Sequence, residues 1–208
     1  MTIRDLLERK DDLRLYISKN IILFSLTYVN TMVLFYEQLC PLNVIGRINM
    51  TKNLEHEIFN FAEEVIRKIG EHYGEGRMGG YLCIYDPNRL FDRQQLIGEP
   101  DRAKAPKYQS FAREKAFRLS QNPDHLTSWE SRDVENEQYG GAIRLPSGLI
   151  ISFSGMPEAV DTAFCLMLMY NFLIASPKDL IEISERAECT ELFDKLSTGF
   201  TAKISPLD

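Results

Sequence analysis

Residues 139–158 read Tyr-Gly-Gly-Ala-Ile-Arg-Leu-Pro-Ser-Gly-Leu-Ile-Ile-Ser-Phe-Ser-Gly-Met-Pro-Glu, two apolar runs, a tight turn and a helix start without a gap. In Leu145-Pro146-Ser147-Gly148 the proline fixes φ and the glycine tolerates positive φ, so the flanking runs are expected to pair antiparallel. That is a β-hairpin. In its second run Leu149, Ile151 and Phe153 alternate with Ile150, Ser152 and Ser154, giving one wholly apolar face and one mixed face. Ser154-Gly155 ends the strand, Pro157 suits the first helical position, and Glu158 and Asp161 put negative charge at the positive end of the helix dipole.

The helix expected over 157–174 is apolar nearly all round, from Ala159 and Val160 through Phe164, Leu166, Met167, Leu168 and Met169 to Ile174. Such a helix is enclosed by the rest of its domain or lies in a subunit interface. Asp161, Thr162 and Asn171 interrupt it and polar segments flank it, so no membrane span is expected here. Met167 and Met169 read as core gap-fillers.

Upstream, Leu54, Ile58, Phe61, Ala62, Val65 and Ile69 recur at three- and four-residue steps, which predicts an amphipathic helix capped by Thr51 or Asn53 and ending near Gly70. Gly70, Gly74, Gly76, Gly79 and Gly80 read as linker before a strand at Tyr81–Tyr85, because nucleotide-binding glycine loops follow a strand instead. Asp86-Pro87-Asn88-Arg89 is expected to turn the chain into a second hairpin starting at Leu90-Phe91. A helix over Tyr108–Ser120 precedes a long polar loop, residues 121–133, and long loops often carry function. Ser176-Pro177 predicts a cap and one last helix to about Ser197.

At the N-terminus, residues 3–17 suggest an amphipathic helix. The apolar run 21–39 has the β-branched and aromatic content of strands but the uninterrupted length of a helix ended by Cys40-Pro41. Helix is the reading taken, with strands as the alternative. Ser25, Thr27, Asn30 and Thr31 at its centre argue against a membrane anchor. From residue 53 the order helix, hairpin, helix, hairpin, helix predicts an α+β fold, an antiparallel sheet of about five strands with helices on its faces. This is a profilin-like or PAS/GAF-like layer. The expected division is a helical extension at 1–50, the α+β domain at 51–176, and a C-terminal helix and tail at 177–208.

Composition narrows the partners. A net charge of -6 over 208 residues argues against a nucleic-acid or anionic-membrane surface, since both need clustered Lys and Arg. Cys40, Cys83, Cys165 and Cys189 form no C-x-x-C pair and read as reduced core thiols. The first ten residues lack the apolar core of an export signal, so a cytoplasmic location is expected.

No residue set carries a strong catalytic signature. Gly-x-Ser-x-Gly does not occur, and no His, Cys or carboxylate pair has metal-ligand spacing. Lys115 and Arg144 each interrupt an apolar element and are the candidates to grip an anionic ligand. His125 and Trp129, the single tryptophan, sit in the long loop beside them.

Gly140-Gly141, Arg144, Gly148, Ser154-Gly155, Pro157-Glu158 and Asp161, with Ala112, Lys115-Ala116, Asp86 and Leu90, resemble the GlcG-like family over about residues 53–174. That family includes haem-binding sensor proteins and a domain attached to some corrinoid adenosyltransferases. The resemblance implies haem as a possible cofactor and His56 as an axial ligand. Where the family often carries Gly-Gly-His after the aspartate, this chain reads Asp86-Pro87-Asn88-Arg89. The expectation is a small-molecule-binding or sensory domain that forms a homodimer. The alternative is a ligand-free protein–protein interaction module of the same fold, and the third is an enzyme using the long loop as a lid.

Overall fold

The computed structural model describes residues 52–88, 91–172 and 174–200. The helices expected at 3–17 and 21–39, the extension at 1–50 and Cys40 lie outside those residues. The elements run α1 (Lys52–Tyr73), β1 (Met78–Asp86), β2 (Phe91–Glu99), α2 (Ala105–Gln121), a 3-10 turn (Ser128–Ser131), β3 (Ala142–Arg144), β4 (Ile150–Ser154), α3 (Glu158–Asn171), α4 (Pro177–Arg186) and α5 (Thr190–Phe200). The class is α+β.

Among the described residues the sheet has four antiparallel strands in the order β2-β1-β4-β3, where about five are expected. In the long loop the Glu130 carboxylate accepts the N–H groups of Leu126 and Thr127 at 2.7 and 2.8 Å. Thr127 is left with a single bridge to Ile143. Both expected hairpins are present. In the second, Gly148 has φ +85 and its N–H donates to Leu145 O at 2.8 Å, closing the turn that brings Arg144 opposite Ile150.

β1 begins at Met78, so Gly79 and Gly80, expected as linker, lie inside a strand. Their role is close approach: a Cβ on Gly80 would fall 2.0 Å from Ser154 O on the neighbouring strand.

Helices cover both sheet faces. On one, Ile58, Ala62, Val65, Ile66 and Ile69 of α1 meet Leu82, Ile84, Ile97 and Ile151, and α3 adds Phe164 with its ring 4.6 Å from that of Phe153. On the other, Ala112, Ala116 and Leu119 of α2 meet Cys83, Ala142 and Ile150. On the α1 side, α3 is buried from Val160 to Met169, so Met167 and Met169 are core. Among the described residues no helix is long and apolar enough to cross a membrane.

The single helix expected over 177–197 is two. Its start is as read, with the Ser176 side chain accepting from Asp179 N and the Asp179 carboxylate returning the bond. Glu188, at φ 53, then breaks the helix between the buried residues Ala187 and Cys189. Leu180, Ile183, Phe193 and Leu196 join the same core as the sheet.

Candidate functional site

The helical spacing that turns Ala112, Ala116 and Leu119 toward the sheet also turns Lys115 inward, and its side chain is 2% exposed. Its ammonium donates to Asp161 Oδ2 at 2.8 Å and to Phe153 O at 3.0 Å. The other carboxylate oxygen, Asp161 Oδ1, accepts Met156 N–H at 2.9 Å and so ties the chain entering α3 back onto the helix. Lys115 therefore bolts α2 to α3 past the end of β4. Burial pushes the Asp161 carboxyl up to about 6, against the pull of the Lys115 charge and the two hydrogen bonds.

No space for a ligand remains at that pair. Gly141 crosses it at φ +118, and a Cβ there would come 2.7 Å from Lys115 Nζ and 2.8 Å from Phe153 O. The Gly141 carbonyl accepts Phe153 N–H at 2.8 Å and the Cys165 thiol at 3.7 Å. Burial, and then the Asp161 charge, pushes Cys165 far above the ordinary thiol range, which suppresses nucleophilic use.

Arg144 closes the C-terminal end of α2. Its guanidinium donates to the carbonyls of Leu119, Asn122 (3.0 Å) and Pro123 (3.2 Å). These include acceptors that the end of a helix leaves without helical partners. Burial lowers its pKa, with Asp124 and Glu130 acting the other way.

Arg118, which the sequence reading passed over, fixes the long loop. It donates to Ser128 O at 2.9 Å, Ser131 O at 2.8 Å and Tyr139 O at 2.6 Å, while its Nε meets Glu114 at 2.7 Å. The available signal was its three-residue step from Lys115, on the same side of α2.

Trp129 packs on Gly140, where a Cβ would lie 2.4 Å from its ring. Its outer face is covered by Arg132, 5.1 Å from the ring centre. Arg132 in turn forms a two-bond pair with Glu158, at 2.8 and 3.0 Å, and Glu158 also accepts Gly140 N–H at 2.8 Å. Burial alone would raise Glu158, but Arg132 and the Gly140 N–H outweigh it and hold the carboxyl below its ordinary 4.5.

His56 and His72 stand apart from this cluster. His125 lies half-buried in the turn after α2, with Nδ1 lacking a hydrogen-bond partner among the described residues. His56 and His72 are exposed on α1, on the order of 24 Å apart along its axis. His72 faces a groove with Ile69, Tyr73 and Leu196. Exposed on α1, His56 has no enclosed apolar site around it among the described residues.

One more polar group lies where α2 borders β2. Asp92 accepts the Cys83 thiol at 3.7 Å and Gln94 Nε2 at 3.4 Å, and its second oxygen meets Arg113 at 2.9 Å. Burial and then the Asp92 charge push Cys83 up to about 12. Gln94 Oε1 has no hydrogen-bond partner among the described residues.

Of the five residues singled out from sequence, the fold gathers Lys115, Arg144, Trp129 and His125 around α2 and the loop after it, while His56 stands apart on α1. The first three work as fasteners within the chain. A comparison of the chain with protein-family models, with curated proteins and with solved structures found no match.

Proposed function

We propose that the chain is a ligand-free protein–protein interaction module on an α+β scaffold. The observation that carries this is the use of the three cations around α2. Lys115 and Arg118 direct their donors at the chain's own carbonyls and at Asp161 and Glu114, and Arg144 gives both terminal nitrogens to carbonyls while its Nε has no partner among the described residues, so most of the donors suited to an anionic ligand are spent on rigidity. A rigid scaffold with Leu96 40% and Phe117 56% exposed suits docking better than enclosure.

Sensing of a small molecule, as the GlcG-like resemblance implies, is the second reading. It is favoured by the Cys83, Asp92, Gln94 and Arg113 group, where a buried amide oxygen awaits a donor. Titration of the full chain with haemin, followed by absorption, separates the haem form of this reading from the first. The interaction module leaves the Soret region without a new sharp band, whereas a band saturating at one equivalent would overturn it.

A further inference from the structure

β2 is an edge strand, and its outer side pairs with no other strand among the described residues. The phase of its backbone follows from the ladder: Phe153 donates toward β3, at Gly141 O, so its partner Leu82 turns toward β2 and Gln95 toward β1. Gly98, at φ +70, agrees with this phase, its N–H leaving β1 for the Glu63 carboxylate at 2.8 Å. With Gly98 outward, strand alternation turns the N–H and C=O groups of Leu96 and Gln94 outward as well, while Arg93, Gln95 and Ile97 bond to β1. Arg93, Gln95, Ile97 and Glu99 share the α1 face, and Leu96 lies on the α2 face. Such an edge is a template for another strand.

We infer that the partner is a second copy of this chain, joined antiparallel along β2 with the two Leu96 residues facing each other across the two-fold axis. This rests on the interaction-module reading and names its partner. Charge selects the register. Centring the pair on Leu96 sets Arg93 directly opposite Glu99 of the second copy, twice by symmetry, and packs Leu96 on Leu96. Centring it on Arg93 would oppose like charges, and centring it on Gln94 or Gln95 would set Arg93 against Gln95 or Ile97. In the selected register Leu96 exchanges both backbone bonds with its symmetry mate, and Gln94 bonds to Gly98. Glu63 competes for that Gly98 N–H and acts as the latch on the edge.

The test is sedimentation velocity of the full chain over a concentration series. The wild type forms a dimer, and Arg93→Glu and Glu99→Arg are each at least tenfold weaker in self-association. An equimolar mixture of the two variants restores the dimer, because in the mixed pair every glutamate meets an arginine. That restoration also shows that each variant is folded, which matters because Arg93 lies 3.5 Å from Glu55. Glu63→Gln tightens the dimer. A wild type that stays monomeric at every concentration overturns the proposal, as do single variants that dimerise like the wild type. In the second case self-association uses another surface and the interaction reading survives, whereas that reading falls separately if haemin binds at one equivalent.

Discussion

Lys115 Nζ lies 2.8 Å from Asp161 Oδ2, each side chain 2% exposed, though the residues belong to different helices. Removing one partner of such a pair strands the other, whereas removing both does not. Lys115→Met is expected to cost about 3–5 kcal/mol. Asp161→Asn is expected to cost a similar amount, about 3–5 kcal/mol, because it leaves the buried Lys115 ammonium without its counter-charge. Lys115→Met combined with Asp161→Leu is more stable than Lys115→Met alone. Urea unfolding of the three variants checks the order, and a Lys115→Met protein as stable as the wild type would refute it.

Gly141 and Gly76 both have positive φ, at +118 and +81, but only Gly141 is crowded, since nothing lies within 4 Å of a Cβ on Gly76. Gly76→Ala therefore costs only backbone strain, about 1 kcal/mol, while Gly141→Ala adds a collision with the buried pair and costs roughly 3 kcal/mol or more. Thermal unfolding of the two variants separates the effects, and equal losses would mean that crowding at Gly141 is relieved cheaply.

Arg118 holds three carbonyls from Ser128 to Tyr139. Arg118→Met is expected to make residues 121–141 the first site of limited proteolysis and to destabilise the fold by about 2–4 kcal/mol, since buried acceptors lose their donors. Arg118→Lys does not rescue it, because an ammonium lacks the planar fork that serves separate acceptors. Cleavage elsewhere in the Met variant would count against this role.

Glu158 has a folded pKa below its ordinary 4.5, so the stability it contributes is present above 4.5 and is lost as the pH falls through the lower folded value. Protonation also loosens Arg132, the cover on Trp129. Acidification below about 4.5 should then shift the emission of the single tryptophan to the red before global unfolding. In Glu158→Gln the emission is already shifted near neutral pH and changes little with acid. A wild-type spectrum constant down to the unfolding transition would contradict the assignment.

Elements whose signals are local were legible in the sequence. Pro146 and Gly148 mark the turn, Ser176 and Asp179 the cap, and the spacing from Ile58 to Ile69 gives α1 its buried face. What failed was distant in the chain or ambiguous locally. Gly79 and Gly80 look like linker until Ser154 of another strand is set against them. Lys115 and Arg144 stand out as cations in apolar elements, yet their partners, Asp161 and the end of α2, are separated from them by long stretches of chain. Glu188 carries no turn signature, so the break between α4 and α5 went unread.

The sheet is also an order of assembly. Each hairpin closes over a short loop, but the central seam, Tyr81 against Ser154, joins residues about 70 apart, and contacts of that span form slowly. Until it closes, β1 and β4 each present a naked backbone edge beside apolar side chains. The newly made chain is therefore most prone to stick to its neighbours during that interval, and the seam can close only because Gly80 leaves room for Ser154 O.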